Sequence, residues 1–492
     1  KRKTNGKLRG RLNARGYEQL EGKHYYADSI AAPVTNPNTI RIVWTLLAMI
    51  PEWIAVVIDV EGAFLQGKFT NGEQMHIDVP DGMNKYYGNR EDVVLLLNVP
   101  IYGTKQAAHC FYQTLVKKVK DRNYNRSKAD PCLYYIRRNG RLAVMLSWVD
   151  DILALGHPDD VKQIEVDLQS AFVSKSEGVM KEYVGNKVDV VRQSDGRAKI
   201  KVTQPVLVQK LRDEFDLPGG RTPKTPAVPG QVLVKGDGSD ALNPQDTTKY
   251  RSGTALCMYK MQWSRPDIYN ATRDCARHMS APNELHMKAL KHLMKYVVGT
   301  ADRGLVLYPD RVWDGSSEFK FRIHGRSDSD YAANKDDRRS ISGGVVFLEG
   351  CPITFRSSMQ KFVTLSVTEA ESAAGVMVAQ DMLYVYRLME SIGLSVELPM
   401  LLEMDNKGAV DLANNWSVGG RTRHVDVRNH FLRELKDEGL IMVKHISGDE
   451  NEADIFTKNT AAPVFNRHIP KFVGVDKYME ESYPEPGARE GV

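Results

Sequence analysis

The sequence predicts an α+β and α/β multidomain protein, and three observations carry that prediction. Its 492 residues exceed one ordinary domain, at roughly 100–200 residues each. Short, β-branched apolar runs alternate with helical patterns along the chain, the mark of mixed layers. A stretch rich in Pro, Gly and Asp, residues 218–246, interrupts the pattern and reads as a linker.

Composition narrows the class. At 42% hydrophobic and 26% charged, the chain predicts buried cores and not general disorder. No apolar run approaches the ~18 residues of a membrane span. The basic start, Lys1-Arg-Lys, has no apolar run behind it and is not a secretory signal. It also lacks an initiator Met, which suggests a fragment or a processed product. Cys110, Cys132, Cys257, Cys275 and Cys351 are scattered with no CxxC. That disfavours a zinc site or a disulfide framework and points to a reducing compartment. Net charge is only +5, but the first 23 residues hold eight Lys or Arg against Glu18 and Glu21. Such a cluster can bind phosphates, although composition alone favours a solvated basic arm.

In chain order, Thr39 to Ile50 reads as a helix stopped by Pro51. Ile54-Ala-Val-Val-Ile58 is a buried strand ending in Asp59. Strands follow at Met75 to Val79 and Val93 to Leu97, then a helix over Gln106 to Val119. Leu133 to Ile136 is a strand. Arg141 to Val149 and Ile152 to Leu155 form a tight hairpin with Asp150 and Asp151 at its turn. A helix runs from Pro158 to Phe172. Helices return over 247–263 and 267–298, the second opening on Arg265-Pro266-Asp267. From 319 onward three strands, a long helix from Ser366 to Ile392, and further alternation predict an α/β domain with a mixed sheet.

Carboxylates at strand ends carry the chemistry. Adjacent Asp150 and Asp151 repel unless a cation lies between them, and a divalent metal with oxygen ligands is the natural neutraliser. A solvated turn is the alternative, since Asp favours turns. If the hairpin neighbours the strand of Asp59, three carboxylates converge, enough for two ions and an in-line phosphoryl displacement. Asp328 and Asp405 end two later strands, with Glu371 and Asp454 on helices. Glu371 shares a helical stripe with Val367, Ala374 and Val378, whereas Glu369 lies off it. An acid on a sheet-facing stripe is costly without a partner or metal. Four unrelated surface acids would give the same pattern.

The motifs then add up. Arg9-Gly-Arg-Leu-Asn-Ala-Arg-Gly-Tyr17, Asp59-Val-Glu-Gly-Ala-Phe-Leu-Gln-Gly67, Ile101-Tyr-Gly-Thr-Lys-Gln-Ala107, Trp148-Val-Asp-Asp-Ile-Leu153 and Ser264-Arg-Pro-Asp-Ile268 come in order. Ser327 to Tyr331, Arg338 to Gly343, Thr368 to Glu371, Met404 to Asn406, Arg421 to His424 and Ala453 to Lys458 follow. Together they resemble the reverse transcriptase and ribonuclease H portion of a copia-type LTR-retrotransposon Pol polyprotein, from about Lys7 to Thr460.

That resemblance implies a right-hand polymerase of fingers, palm and thumb over 1–217. It implies a linker at 218–246, a connection segment at 247–318, a ribonuclease H-like domain with a mixed five-stranded sheet at 319–460, and a tail at 461–492. It assigns Asp59, Asp150 and Asp151 to polymerase metals and the primer 3′-hydroxyl, and Asp328, Glu371, Asp405 and Asp454 to ribonuclease metals. Phe64 matches the aromatic that rejects a 2′-hydroxyl, Arg11 a contact to the nucleotide triphosphate, and Gly103 and Lys105 the stretch beside nucleotide and template.

The implied cofactor is Mg²⁺, two ions per site, with Mn²⁺ as an alternative. The implied partners are an RNA template, a DNA primer, RNA–DNA hybrid, dNTPs, and the integrase and Gag products of the same element, with no membrane. The implied location is intracellular, in cytoplasmic virus-like particles or the nucleus. Trp148 replaces a usual Tyr, Thr104 a Leu, Ala108-His109 a Pro-Arg, Ser372 a Tyr, and Asn13 an aliphatic residue. These departures leave a decayed remnant that only binds nucleic acid as the alternative function.

Overall fold

The computed structural model describes residues 10, 12–69, 72–87, 93–217, 219–236, 238–415 and 426–474. Two compact units form, and they do not follow chain order. One comprises Lys1–Asn36 and Glu52–Met180; the other comprises Pro37–Pro51 and Lys181–Val492. The second therefore takes helix α1 (Pro37–Met49) out of the chain of the first. Among the described residues no helix is long and apolar enough to cross a membrane.

The first unit is a six-stranded sheet. Its strands are β1 (Ile54–Val60), β2 (Asn125–Arg126), β3 (Leu133–Arg138), β4 (Arg141–Trp148), β5 (Asp151–Gly156) and β6 (Ser174–Val179), in the spatial order β2-β3-β4-β5-β1-β6. Helices α2 (Ala107–Lys120) and α3 (Pro158–Ala171) cover one face. Val56, Ile58 and Val60 of β1, Met145 of β4, and Ile152 and Ala154 of β5 pack there with Phe111, Leu115, Ile164, Leu168 and Phe172. Strand alternation sends Asp59 and Asp151 to the other face. Helix α3 starts as the sequence suggests, with Pro158 in its first turn and Asp159 and Asp160 behind it.

The hairpin differs from expectation by one residue. β4 ends at Trp148 and β5 starts at Asp151, so the turn is Val149–Asp150 and not Asp150–Asp151. Val149 takes φ 56°, the positive φ that the favoured two-residue hairpin turns require and that a β-branched residue resists. Both strands are nearly continuous apolar runs, so no alternation in the sequence fixes this register.

The second unit gathers around α1, whose residues Thr39 to Met49 are all buried. Arg41 donates from Nη1 to Asn38 Oδ1 at 2.7 Å and to the Ile353 carbonyl at 2.6 Å, and from Nη2 to the Gln262 carbonyl. Thr39 and Tyr384 share a hydroxyl hydrogen bond of 2.7 Å. β7 (Glu182–Tyr183), β8 (Asn186–Arg192), β9 (Ala198–Thr203) and β10 (Gly304–Leu307) form an antiparallel sheet closed by Val473–Gly474.

Helix α4 (Pro205–Glu214) leads to residues 219–236, which are tied down along their length. The Leu233 amide donates to Asp274 Oδ2 at 2.9 Å, the Gly230 amide to the Asn459 carbonyl at 2.8 Å, and Asn459 Nδ2 to the Gln231 carbonyl at 2.7 Å. Helix α5 (Pro244–Trp263) follows. The expected single helix over 267–298 is two, α6 (Tyr269–Ala276) and α7 (Glu284–Gly299). Pro282 cannot continue the first, and a capping box between Asn283 and His286 starts the second.

A mixed five-stranded sheet completes the unit: β11 (Ile323–Asp330), β12 (Ile341–Leu348), β13 (Cys351–Met359), β14 (Met400–Met404) and β15 (Ile441–His445), ordered β13-β12-β11-β14-β15. β13, β12 and β11 pair antiparallel, whereas β14 runs parallel to both β11 and β15. Helix α8 (Val367–Ser391) lies on one face, where a Cβ at Gly325 or Gly344 would meet Val378. Helices α9 (Lys407–Asn414), α10 (Asp426–Asp437), α11 (Asp454–Thr457) and α12 (Ala462–His468) follow.

Candidate active sites

In the first unit, register places Asp59 directly opposite Asp151, with Asp150 in the turn beside them. The Val60 amide donates to the Asp150 carbonyl at 2.9 Å, binding the turn to β1. Burial, then Asp150 and Glu177, raise the Asp59 carboxyl above the ordinary range. Burial, then Asp150 and Asp59, push Asp151 up to about 6. Strain of this kind, from like charges on a shared face, is relieved by a cation. On the other side of β1, Asp59 pairs in register with Lys175, whose ammonium is held by Glu177 at 2.7 Å.

The expected nucleotide-side residues lie in the same unit. Phe64 sits on the short helix Ala63–Gln66, its ring centroid 5.1 Å from that of Tyr102. Gly103 has φ 89°, and a side chain there would collide with the Ala14 carbonyl. The glycine lets residues 14–16 run against the Tyr102–Gly103 turn, where the Ala14 amide donates to the Tyr102 carbonyl at 2.7 Å. Lys105 donates to the Tyr25 hydroxyl at 2.8 Å. Arg11 lies outside the described residues.

Sequence reasoning missed Gln106. It is fully buried, donates to the His24 carbonyl and to Glu73 Oε1, each at 2.7 Å, and accepts from Gln19 Nε2 at 2.9 Å. A Gln directly before a helix whose apolar stripe is buried was the available signal.

In the second unit, Asp328 on β11, Glu371 on α8 and Asp405 after β14 converge, one oxygen of each lying within 4.8 Å of the others. Asp328 is 1% exposed and Glu371 3%. Glu371 Oε1 accepts from the Ser329 amide at 3.1 Å and its hydroxyl at 2.9 Å, while Oε2 is buried with no hydrogen-bond partner among the described residues. Burial, then Asp328 and Asp405, raise Glu371 well above a carboxylate's ordinary value. Burial likewise raises Asp328 and Asp405. An orphaned carboxylate oxygen among two buried acids and the half-buried Asp405 is a hard donor set that fits a divalent cation.

Asp454 stands apart from that triad. Lys458 joins it to Asp328: its Nζ is 2.8 Å from Asp454 Oδ1 and 3.3 Å from Asp328. Thr457 also donates to Asp328. Of the expected stripe, Ala374 and Val378 are buried, but Val367 is 47% exposed because it opens the helix. Glu369 lies at the helix start, where Ser366 is the cap: the Glu369 amide donates to Ser366 Oγ at 3.1 Å, and its carboxylate accepts from the Leu365 amide at 2.8 Å. Arg421 to His424 lie outside the described residues.

Residues 1–229 match the reverse transcriptase (RNA-dependent DNA polymerase) family. Over 457 residues the chain is 29% identical to the retrovirus-related Pol polyprotein from transposon TNT 1-94 of Nicotiana tabacum, covering 92% of this chain and 33% of that protein. It is also 29% identical over 472 residues to the Pol polyprotein from transposon RE1 of Arabidopsis thaliana, covering 96% and 30%. The chain thus spans about a third of the length of these relatives. The structure of the compost-derived LC11 ribonuclease H1 is 17% identical and covers 30% of this chain and 96% of that one, with a TM-score of 0.23. At that score the likeness carries no weight for the fold.

Proposed function

We propose, on the match of residues 1–229 to the reverse transcriptase family, that the chain is an RNA-directed DNA polymerase with an attached ribonuclease H activity. The reading takes 1–217 as fingers, palm and thumb, 218–246 as linker, 247–318 as connection, 319–460 as the ribonuclease domain and 461–492 as tail. The observation that carries it is the pairing of Asp59 with Asp151 inside the family-matched segment, with Asp150 in the adjoining turn. The Asp328–Glu371–Asp405 cluster supports the second activity.

The residues divide the work. In this reading Asp59, Asp150 and Asp151 hold cations at the growing primer end, and Phe64 bars a ribose 2′-hydroxyl. Gly103 and Lys105 border the nucleotide and template. Asp328, Glu371, Asp405 and Asp454 hold cations at the scissile phosphate of the hybrid's RNA strand. Divalent cations, Mg²⁺ or Mn²⁺, supply charge neutralisation and an activated hydroxyl or water at both places. The hybrid is gripped through its phosphates, so binding weakens steeply with salt. Gag and integrase products of the same element are the expected protein partners.

Primer extension on an RNA template, with Asp150→Asn as control, tests the first activity. Cleavage of a labelled hybrid, with Asp405→Asn as control, tests the second. Metal-dependent product absent from both controls is expected. Hybrid binding with neither product would leave a remnant that only binds nucleic acid.

A further inference from the structure

The two halves of the ribonuclease-type site are not alike. Asp328, Glu371 and Asp405 form a cluster of three carboxylates, and Glu371 Oε2 has no hydrogen-bond partner among the described residues. The other half, Asp328 with Asp454, already holds a positive charge in the Lys458 ammonium, 3.3 Å from Asp328 and 2.8 Å from Asp454. Asp328, 1% exposed, belongs to both halves.

We propose that Lys458 holds the place of a second cation between Asp328 and Asp454, so that the site loads unequally, its triad position first. This rests on the two-cation reading of the site given above. Among the described residues, a dication entering the triad meets carboxylates with no cation paired to them other than Lys458 at Asp328. A dication entering between Asp328 and Asp454 must displace an ammonium that already offsets their repulsion.

The geometry allows displacement. The Lys458 side chain is 40% exposed, and its flexible stem can carry the charged head to water. Its backbone stays put, because the Lys458 amide donates to the Asp454 carbonyl at 3.1 Å. The side chain lies one turn beyond Asp454, the spacing at which opposite charges meet on a helix. Lys458 is thus a positioning residue: it keeps Asp328 and Asp454 together before the second cation arrives and raises the concentration that cation needs.

The test uses the full chain with Asp59→Asn and Asp151→Asn to silence the first site. Mn²⁺ is counted by electron paramagnetic resonance and its affinities measured by calorimetry. One tight and one weaker ion, the tight one lost in Asp405→Asn, are expected. Lys458→Met should tighten the weaker one by about tenfold, a shift of ~1.4 kcal/mol. Lys458→Arg, which keeps the charge, should not tighten it. Lys458→Met should also lower the Tm in chelator, with the loss recovered by Mn²⁺. An unchanged or weakened second affinity in Lys458→Met overturns the proposal. A parent in which Asp405→Asn removes no Mn²⁺ overturns the cation reading beneath it instead.

Discussion

Asp59 and Asp151 are cross-strand partners on β1 and β5, so two carboxylates share one face of the sheet with Asp150 in the turn beside them. Without a cation this arrangement works against folding. Burial, Asp150 and Asp59 push Asp151 up to about 6, above the ~3.9 of an unfolded chain. The folded state therefore holds the proton more tightly, and stability rises as pH falls through 6 toward 4. Asp151→Asn should raise Tm in chelator at pH 7.5, and the gain should shrink by pH 5, where the parent is itself protonated. The same variant should lose extension. Thermal melts at the two pH values check the sign; a loss of Tm at pH 7.5 would contradict it.

Gln106 offers a different outcome. Its amide links the His24 carbonyl, Glu73 and Gln19, and Gln19 in turn accepts from the Lys105 amide at 2.8 Å. Gln106→Leu keeps the volume and strands these groups, at a cost of ~1–3 kcal/mol each where they stay buried. The segment 19–25 should lose its anchor beside Lys105. The KM for dNTP should rise more than kcat falls in steady-state extension. An unchanged KM would mean that the segment does not shape the nucleotide site.

In the Ser264 to Ile268 motif the sequence marks a place without showing its work. Arg265 and Asp267 form a buried bidentate pair at 2.9 and 2.8 Å, each at most 2% exposed. Tyr296 donates to Asp267 at 2.9 Å, and Arg265 also reaches the Thr300 carbonyl at 3.0 Å. Arg265→Ala leaves a buried carboxylate unpaired, so a loss of ~3–5 kcal/mol is expected in denaturant melts. Replacing both partners, Arg265→Met with Asp267→Leu, should recover much of it. If the double variant is as unstable as the single one, the charge itself is not the source.

The sequence showed what period and strand ends can show. Asp59 and Asp405 stand where apolar runs meet a polar boundary, and Glu371 falls on the stripe of Ala374 and Val378. Asp328, expected at a strand end, lies instead within β11 opposite Gly343, because the strand runs on through the polar residues to Asp330. Other features escaped for physical reasons. β8 and β9 carry charges between their apolar residues, as in Lys187-Val-Asp-Val-Val-Arg192. Such short strands of an open sheet have no apolar run to announce them. The turn at Val149 needs a positive φ that no residue there advertises. Lys458 stands four residues after Asp454 in plain view, but only tertiary placement brings Asp328 to it.

The largest gap between sequence and structure concerns α1, and it yields the last prediction. The helix lies in the chain between two segments of the first unit, yet it is a core element of the second. Ile40, Ile42, Val43, Trp44, Leu46 and Met49 are each 0% exposed. Arg41 ties it to β13 and α5 through the Ile353 and Gln262 carbonyls, and the Trp313 amide donates to the Met49 carbonyl at 3.0 Å. Burying one such side chain is worth ~1.5–3 kcal/mol. Losing six, at ~9–18 kcal/mol together, is comparable to the whole ~5–15 kcal/mol by which a domain is stable. A fragment of residues 181–492 should therefore aggregate or melt without cooperativity, although it holds all four carboxylates proposed for the second activity. Joining residues 37–51 to its start through a flexible linker should restore a sharp transition, and with it hybrid cleavage. A fragment of 181–492 that folds alone would show that other contacts suffice to close the core around the place of α1.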